Sequence, residues 1–212
     1  MLEPSAMLLH LQLLCFMSAS SLLAEHPLQQ REQWQLEDPA AWEWQGVGDA
    51  TTLVLKKPSQ TKPKVRRPFN LAWFSGVELE SFMLTCEARL DVFNKGNNDL
   101  CIALGGVSES EFYYAHLGET ADGVHLHLHV VNNADRKAIT TTRVKALPWR
   151  PNHWHQIKLV RNASSGSIKV WFDDQVVLEA SDKTFGKGRI GLGSFDDLGA
   201  FRKVVITPSS AP

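Results

Sequence analysis

Residues 154–197 read WHQIKLVRNASSGSIKVWFDDQVVLEASDKTFGKGRIGLGSFDD, and the order of elements in this stretch decides the fold. NASSG, Asn162 to Gly166, lies between two alternating runs and has the composition of a hairpin loop. Asp173 and Asp174 then form a second tight turn, and the chain closes with GKGRIGLGSF and AFRKVVI. Short strands separated by turn residues are therefore expected here, with no helical stripe.

The same grammar extends upstream. Phe82, Leu84, Cys86, Ala88 and Leu90 share one parity while Thr85, Glu87 and Arg89 take the other, as a half-buried strand requires. NKGNND, Asn94 to Asp99, reads as a turn before Leu100, Ile102 and Leu104. Further strands are expected over 111–117, 124–131, 137–145, 154–161 and 167–172. So many short antiparallel strands would leave apolar faces uncovered in a single open sheet, so two packed sheets are expected. The fold class is all-β: a two-sheet antiparallel sandwich of the jelly-roll type. An immunoglobulin-like arrangement does not fit the placement of Cys and Trp.

At 212 residues the chain accommodates one such domain, expected over 34–207, with a polar linker at 25–33 and a tail at 208–212. Met7 to Ala24 is apolar and ends in small residues, the layout of a signal peptide occupying 1–24, with cleavage after Ser20 or Ala24. A membrane anchor is the alternative, against which stand the short run and its interruption by His10 and Gln12. A secreted or periplasmic location follows from the first reading, with no stable membrane insertion once the leader is gone. Lys and Arg number 22 against 23 Asp and Glu, so no net positive field marks the chain as a nucleic-acid binder. Cys15 would leave with the leader; Cys86 and Cys101 either form a disulfide or pack as buried thiols.

The Trp154–Asp197 run, with FYYAHL (Phe112 to Leu117) and the NADR turn upstream, resembles concanavalin A-like, laminin G-like sandwiches and, within them, secreted bacterial 3-keto-disaccharide hydrolase-like domains. The resemblance implies an exported carbohydrate-active domain: a glycoside hydrolase acting on a (3-keto-)glycoside or, alternatively, a non-catalytic carbohydrate-binding or adhesion module. The Glu-x-Asp-x-Glu strand of family-sixteen glycoside hydrolases is absent; Glu109 and Glu111 are the nearest approach. The resemblance also implies a Ca²⁺ site at a strand end, for which Asp196 in GSFDDLG is the candidate, a plain Asx turn being the alternative.

GVHLHLHVV places His125, His127 and His129 at alternate positions, so one strand would point all three to one face. Two of them could share a transition metal if His116 on a neighbouring strand contributed a third ligand. Tyr114 and His116 share parity and face the expected groove, which sends Tyr113 to the core. A sugar presents apolar ring faces to aromatics and hydroxyls to amides, acids and guanidinium groups. Tyr114, His127, Asn132, Arg136 and Trp149 are accordingly the candidate substrate-binding residues, and His116, His129 and Asp135 the candidate acid–base groups. Asp135 and Arg136 could instead simply close a hairpin. Trp149, in LPWRP, is expected on an open loop where it can stack on a sugar, whereas Trp154 is expected between the sheets beside a hydrogen-bonded His155. KKPSQTKPKVRR, Lys56 to Arg67, is read as a solvated loop, and the Asn162 sequon carries little weight.

Overall fold

The computed structural model describes residues 26–93 and 96–209; the expected leader at 1–24, Asn94 and Lys95 of the expected turn, and residues 210–212 of the expected tail lie outside them. Among the described residues, fifteen strands follow in chain order: β1 Trp34–Leu36, β2 Trp42–Gln45, β3 Thr52–Leu55, β4 Asn70–Leu79, β5 Phe82–Leu90, β6 Asp99–Ser108, β7 Glu111–Gly118 and β8 His127–Asn132, then β9 Lys137–Ala138, β10 Thr140–Arg143, β11 His155–Asn162, β12 Ser167–Phe172, β13 Gln175–Ser181, β14 Gly188–Ser194 and β15 Gly199–Pro208. They make two antiparallel sheets, one ordered β1-β4-β14-β6-β7-β8-β9 and the other β10-β13-β12-β11-β5-β15-β3-β2. The fold is the expected two-sheet sandwich.

Alternation explains its core. Along β5 the burial runs in strict period two, with Phe82, Leu84, Cys86, Ala88 and Leu90 turned inward. They meet Leu100, Ile102 and Leu104 of β6 and Ile157 and Leu159 of β11 in one apolar layer between the sheets. The β12–β13 turn uses Asp173 and Asp174 at φ of 45° and 65°, the left-handed pair that matches the twist of a tight hairpin. Cys86 and Cys101 are both free and buried, so the thiol alternative holds rather than the disulfide.

The seven-stranded sheet also carries apolar side chains on its outward face. Leu71, Trp73, Cys101, Ala103, Phe112, Tyr114, Val131 and Phe195 form a second cluster, on which Val65 and Phe69 pack. Gly106 makes room for it, since a Cβ there would lie 2.6 Å from the Trp73 ring. The basic segment ending at Arg67 is therefore not simply solvated. Arg67 is 1% exposed and donates to Glu37 at 2.9 Å and to its neighbour Pro68 O at 2.8 Å. The segment expected as a linker differs similarly: it makes 3-10 turns at Pro27–Gln29 and Arg31–Gln33, and Leu28 joins the core.

Two further expectations change. The run 124–131 does not enter the sheet until His127, because the Asp122 carboxylate accepts the Val124 and His125 N–H groups at 2.7 Å each and Leu126 turns to φ 54°. His125 thus belongs to a turn and not to a shared strand face with His127 and His129. The run 137–145 splits into β9 and β10, which pair in different sheets.

Candidate functional site

A cavity of about 260 Å³ opens at one end of the outward face of the seven-stranded sheet. Its floor is Asp99, the first residue of β6, and His116, near the end of β7; its walls are Asn97 and Asn98, His125, the Phe195–Asp197 turn, and Arg66 and Arg136. Antiparallel pairing places Cys101 opposite His116, and Asp99 shares the face of Cys101 because it lies two residues away on the same strand.

The loop before β6 is held by amide side chains. Asn97 Oδ1 accepts the Thr120 N–H at 2.9 Å, and Asn98 donates from its backbone N–H to Glu119 at 3.1 Å and again from its side chain. The opposite wall is the β14–β15 turn. Asp197 accepts the Asp99 N–H at 2.8 Å, and its own N–H donates to Ser194 Oγ at 3.0 Å. Phe195 is the wall's apolar centre. The Arg136 guanidinium lies 4.4 Å from its ring centroid and that of Arg66 5.2 Å, contacts of the cation–π type.

On the floor, His116 is 1% exposed. Its Nδ1 lies 3.0 Å from the Val124 carbonyl, which can only accept, so Nδ1 carries the hydrogen. Its Nε2 lies 3.0 Å from Asp99 Oδ2 but out of line for a hydrogen bond, and so remains without a hydrogen-bond partner. Burial, with the Asp99 carboxylate beside it, raises the Cys101 thiol well above its ordinary pKa.

The residues expected from sequence divide into several groups. His116 and Arg136 line the cavity, and Asp196 stands exposed at its mouth. Tyr114 and His129 lie on the same face but beneath the surface, stacked with ring centroids 4.9 Å apart. Tyr114 is fully buried, so its ring is not an open platform; its hydroxyl accepts from Arg136 at 3.4 Å. His129 donates from Nε2 to the same Val124 carbonyl at 2.9 Å, and burial brings its pKa down to about 3. A neutral, enclosed imidazole of this kind does not reach the cavity.

His127 is engaged elsewhere, with Nδ1 3.0 Å from Thr140 Oγ1 and Nε2 2.6 Å from Arg143. Asn132 is exposed at the far end of β8. Asp135 accepts the Arg66 N–H at 2.7 Å, and the Arg136 N–H donates to the Arg66 carbonyl at 3.0 Å. These two residues therefore pin the basic segment over the sheet and do not pair with each other. Trp149 is 7% exposed, donates to the Leu117 carbonyl at 2.9 Å and meets Phe172 edge-on at 4.8 Å. It cannot stack on a sugar. Trp154 is the reverse: half-buried outside the sandwich, with Arg89 and Arg202 at 4.7 and 4.2 Å from its ring.

Asp99, Asn97, Asn98, Arg66 and Phe195 were not singled out from sequence, whereas Asp197 stood beside Asp196 in the GSFDDLG turn considered for Ca²⁺. Asp99 had one available signal, its i, i+2 relation to Cys101 on a predicted strand. Elsewhere, a hollow of about 320 Å³ lies on the outside of the eight-stranded sheet beside Trp171, but Lys158 covers that ring at 4.1 Å.

Among solved structures, the Bacillus subtilis carbohydrate binding module CBM66 matches with a TM-score of 0.58 and 16% identity, over 82% of this chain and 95% of that one. The chain has a galectin-like, concanavalin A-like sandwich fold. A Bacillus subtilis protein of unknown function with a galectin-like fold matches at TM-score 0.55 and 12% identity, over 88% of this chain and 96% of that one. The carbohydrate recognition domain of Emp46p matches at 0.54 and 14%, over 84% and 90%. Identities this low carry the fold alone. No family model and no curated protein matches the chain in sequence, so the resemblance to 3-keto-disaccharide hydrolase-like domains rests on its motifs.

Proposed function

We propose that the chain is an exported carbohydrate-recognition domain that holds a saccharide in the cavity between Asp99, His116, Arg136 and Phe195. The observation that carries this reading is the composition of the cavity: a polar hollow with carboxylate and amide acceptors, two guanidinium groups and a single aromatic wall. A sugar hydroxyl both donates and accepts, so a hollow offering fixed donors and acceptors side by side suits it better than it suits an apolar ligand. The fold shared with carbohydrate-binding domains supports the same reading.

The test is a glycan array probed with the full chain, followed by calorimetry on the glycans it retains. Arg136→Ala is expected to weaken binding about tenfold, or roughly 1.4 kcal/mol. Unchanged affinity in that variant would remove the cavity from the account.

A second reading, hydrolysis of a 3-keto-glycoside, has one observation in its favour: His116 and Asp99 are paired on the cavity floor where an acid–base group would be needed. Product release from a 3-keto-glycoside panel, abolished in His116→Gln, would favour turnover over simple recognition. The Ca²⁺ expected near Asp196 stays a proposal of the same kind, tested by whether calcium raises the melting temperature of the wild type but not of Asp196→Asn.

A further inference from the structure

His116 is placed as a metal-ligating histidine is placed. Its Nδ1–H is committed to the Val124 carbonyl at 3.0 Å, which fixes the tautomer and leaves the Nε2 lone pair facing into the protein. That lone pair has no hydrogen-bond partner, although the side chain is 99% enclosed. What it faces is a carboxylate oxygen, Asp99 Oδ2, at 3.0 Å. A deprotonated nitrogen and a carboxylate oxygen repel each other unless a proton or a metal ion lies between them.

A third donor completes the group. Cys101 Sγ lies 3.8 Å from Asp99 Oδ1, and one ligand atom from each of Asp99, Cys101 and His116 can be chosen so that all lie within 4.8 Å of one another. Tetrahedral bonds of about 2.0–2.3 Å put neighbouring ligands roughly 3.5 Å apart. The closest approaches, 3.0 Å from His116 Nε2 to Asp99 Oδ2 and 3.8 Å from Cys101 Sγ to Asp99 Oδ1, involve the two different carboxylate oxygens and lie near that value. We infer that Asp99, Cys101 and His116 form a site for one divalent transition-metal ion of the zinc class. Thiolate and imidazole select such an ion over calcium or magnesium, whose ligands are oxygens.

Charge and access fit the ion as well. The carboxylate and a Cys101 thiolate balance two positive charges, so the enclosed site is neutral when filled; the thiol proton leaves through the cavity as the metal enters. Asp99 and His116 line that cavity, which gives the ion its route and leaves its fourth position turned toward the hollow. The site differs from the metal pattern expected on the histidine strand: both nitrogens of His127 are held by Thr140 and Arg143, while His129 keeps Nε2 on the Val124 carbonyl and its unpartnered Nδ1 is buried away from the cavity.

The test is cobalt titration of the full chain after chelator treatment, read by absorbance with no saccharide present. A thiolate-to-cobalt charge-transfer band is expected to saturate at one equivalent and to be displaced by zinc. It is expected to vanish in Cys101→Ser and to survive in Cys86→Ala and Cys15→Ala. His116→Gln is expected to weaken zinc binding at least tenfold while near-UV circular dichroism shows native packing. No saturable band in natively packed wild type, or an equal band in Cys101→Ser, would overturn the site. Since no sugar is present, this result stands or falls separately from saccharide binding.

Discussion

Two buried histidines each sit beside an aspartate, and the contrast between them distinguishes a structural contact from a site. His155, on β11, is fully buried, with Nδ1 2.6 Å from Asp173 and Nε2 accepting the Arg150 N–H at 3.2 Å. Each ring nitrogen meets its complement, so one neutral tautomer satisfies the whole arrangement. His116 is just as enclosed and lies 3.0 Å from its carboxylate, yet one nitrogen donates to a carbonyl and the other faces Asp99 without a hydrogen bond. Burial beside an acid is therefore not what marks a site. The mark is a buried nitrogen the protein leaves unmatched next to an open cavity.

The largest test of this contrast lies on the structural side. Trp149 packs edge-on against His155 at 5.2 Å, and Trp149→Ala is expected to cost about 3–5 kcal/mol in urea unfolding. Saccharide affinity of the molecules that remain folded should not change. A loss of affinity without a loss of stability would return Trp149 to the binding surface.

Next in size is a pH effect. His129 titrates near 6.5 when unfolded and near 3 when folded, so the unfolded chain binds more protons between those values. Stability is complete above about pH 6.5 and falls as pH drops toward 3, by up to roughly 3 kcal/mol at pH 4. His129→Gln, which keeps a donor for the Val124 carbonyl, should flatten this slope. An unchanged slope would show that His129 is not enclosed as described.

His155→Ala should cost about 2 kcal/mol, because it strips a partner from the Arg150 N–H and from the Asp173 carboxylate. His116→Gln should cost about 1 kcal/mol or less, since Gln can still donate to the Val124 carbonyl. Equal losses at the two positions would erase the distinction between the pairs. A comparably small effect is expected at Asp135, where Asp135→Ala frees the Arg66 N–H and loosens the segment over Phe69 and Phe195. About 1 kcal/mol of stability and a several-fold weaker saccharide affinity should follow, read by denaturation and calorimetry.

Much of the frame was legible in sequence because it depends on near neighbours. The span Ser167–Phe172, the Asp173–Asp174 turn and the opposite facing of Tyr113 and Tyr114 all follow from alternation and turn chemistry. The histidine run misled because a competing local bond was hidden in it: Asp122 captures two backbone N–H groups and delays the strand until His127. Trp149 misled because LPWRP has loop composition, while its burial depends on Phe172 and Leu117, both distant in sequence. The cavity itself was legible only in part. His116 and Arg136 stood out by residue type, but Asp99 and Cys101 become neighbours of His116 through the pairing of β6 with β7. The Phe195–Asp197 wall arrives through β14, nearly a hundred residues later.

The central claim, that the cavity at the Asp99–His116 floor is where a saccharide binds, is tested most directly by amide chemical-shift mapping of the ¹⁵N-labelled protein as a glycan retained on the array is titrated in. Saturable shifts at Asn97, Asn98, Asp99, His116, Arg136, Asp196 and Asp197, with little change around Lys158 and Trp171, are the predicted result. Shifts concentrated on the Lys158–Trp171 side, with the Asp99–His116 cavity silent, would contradict it.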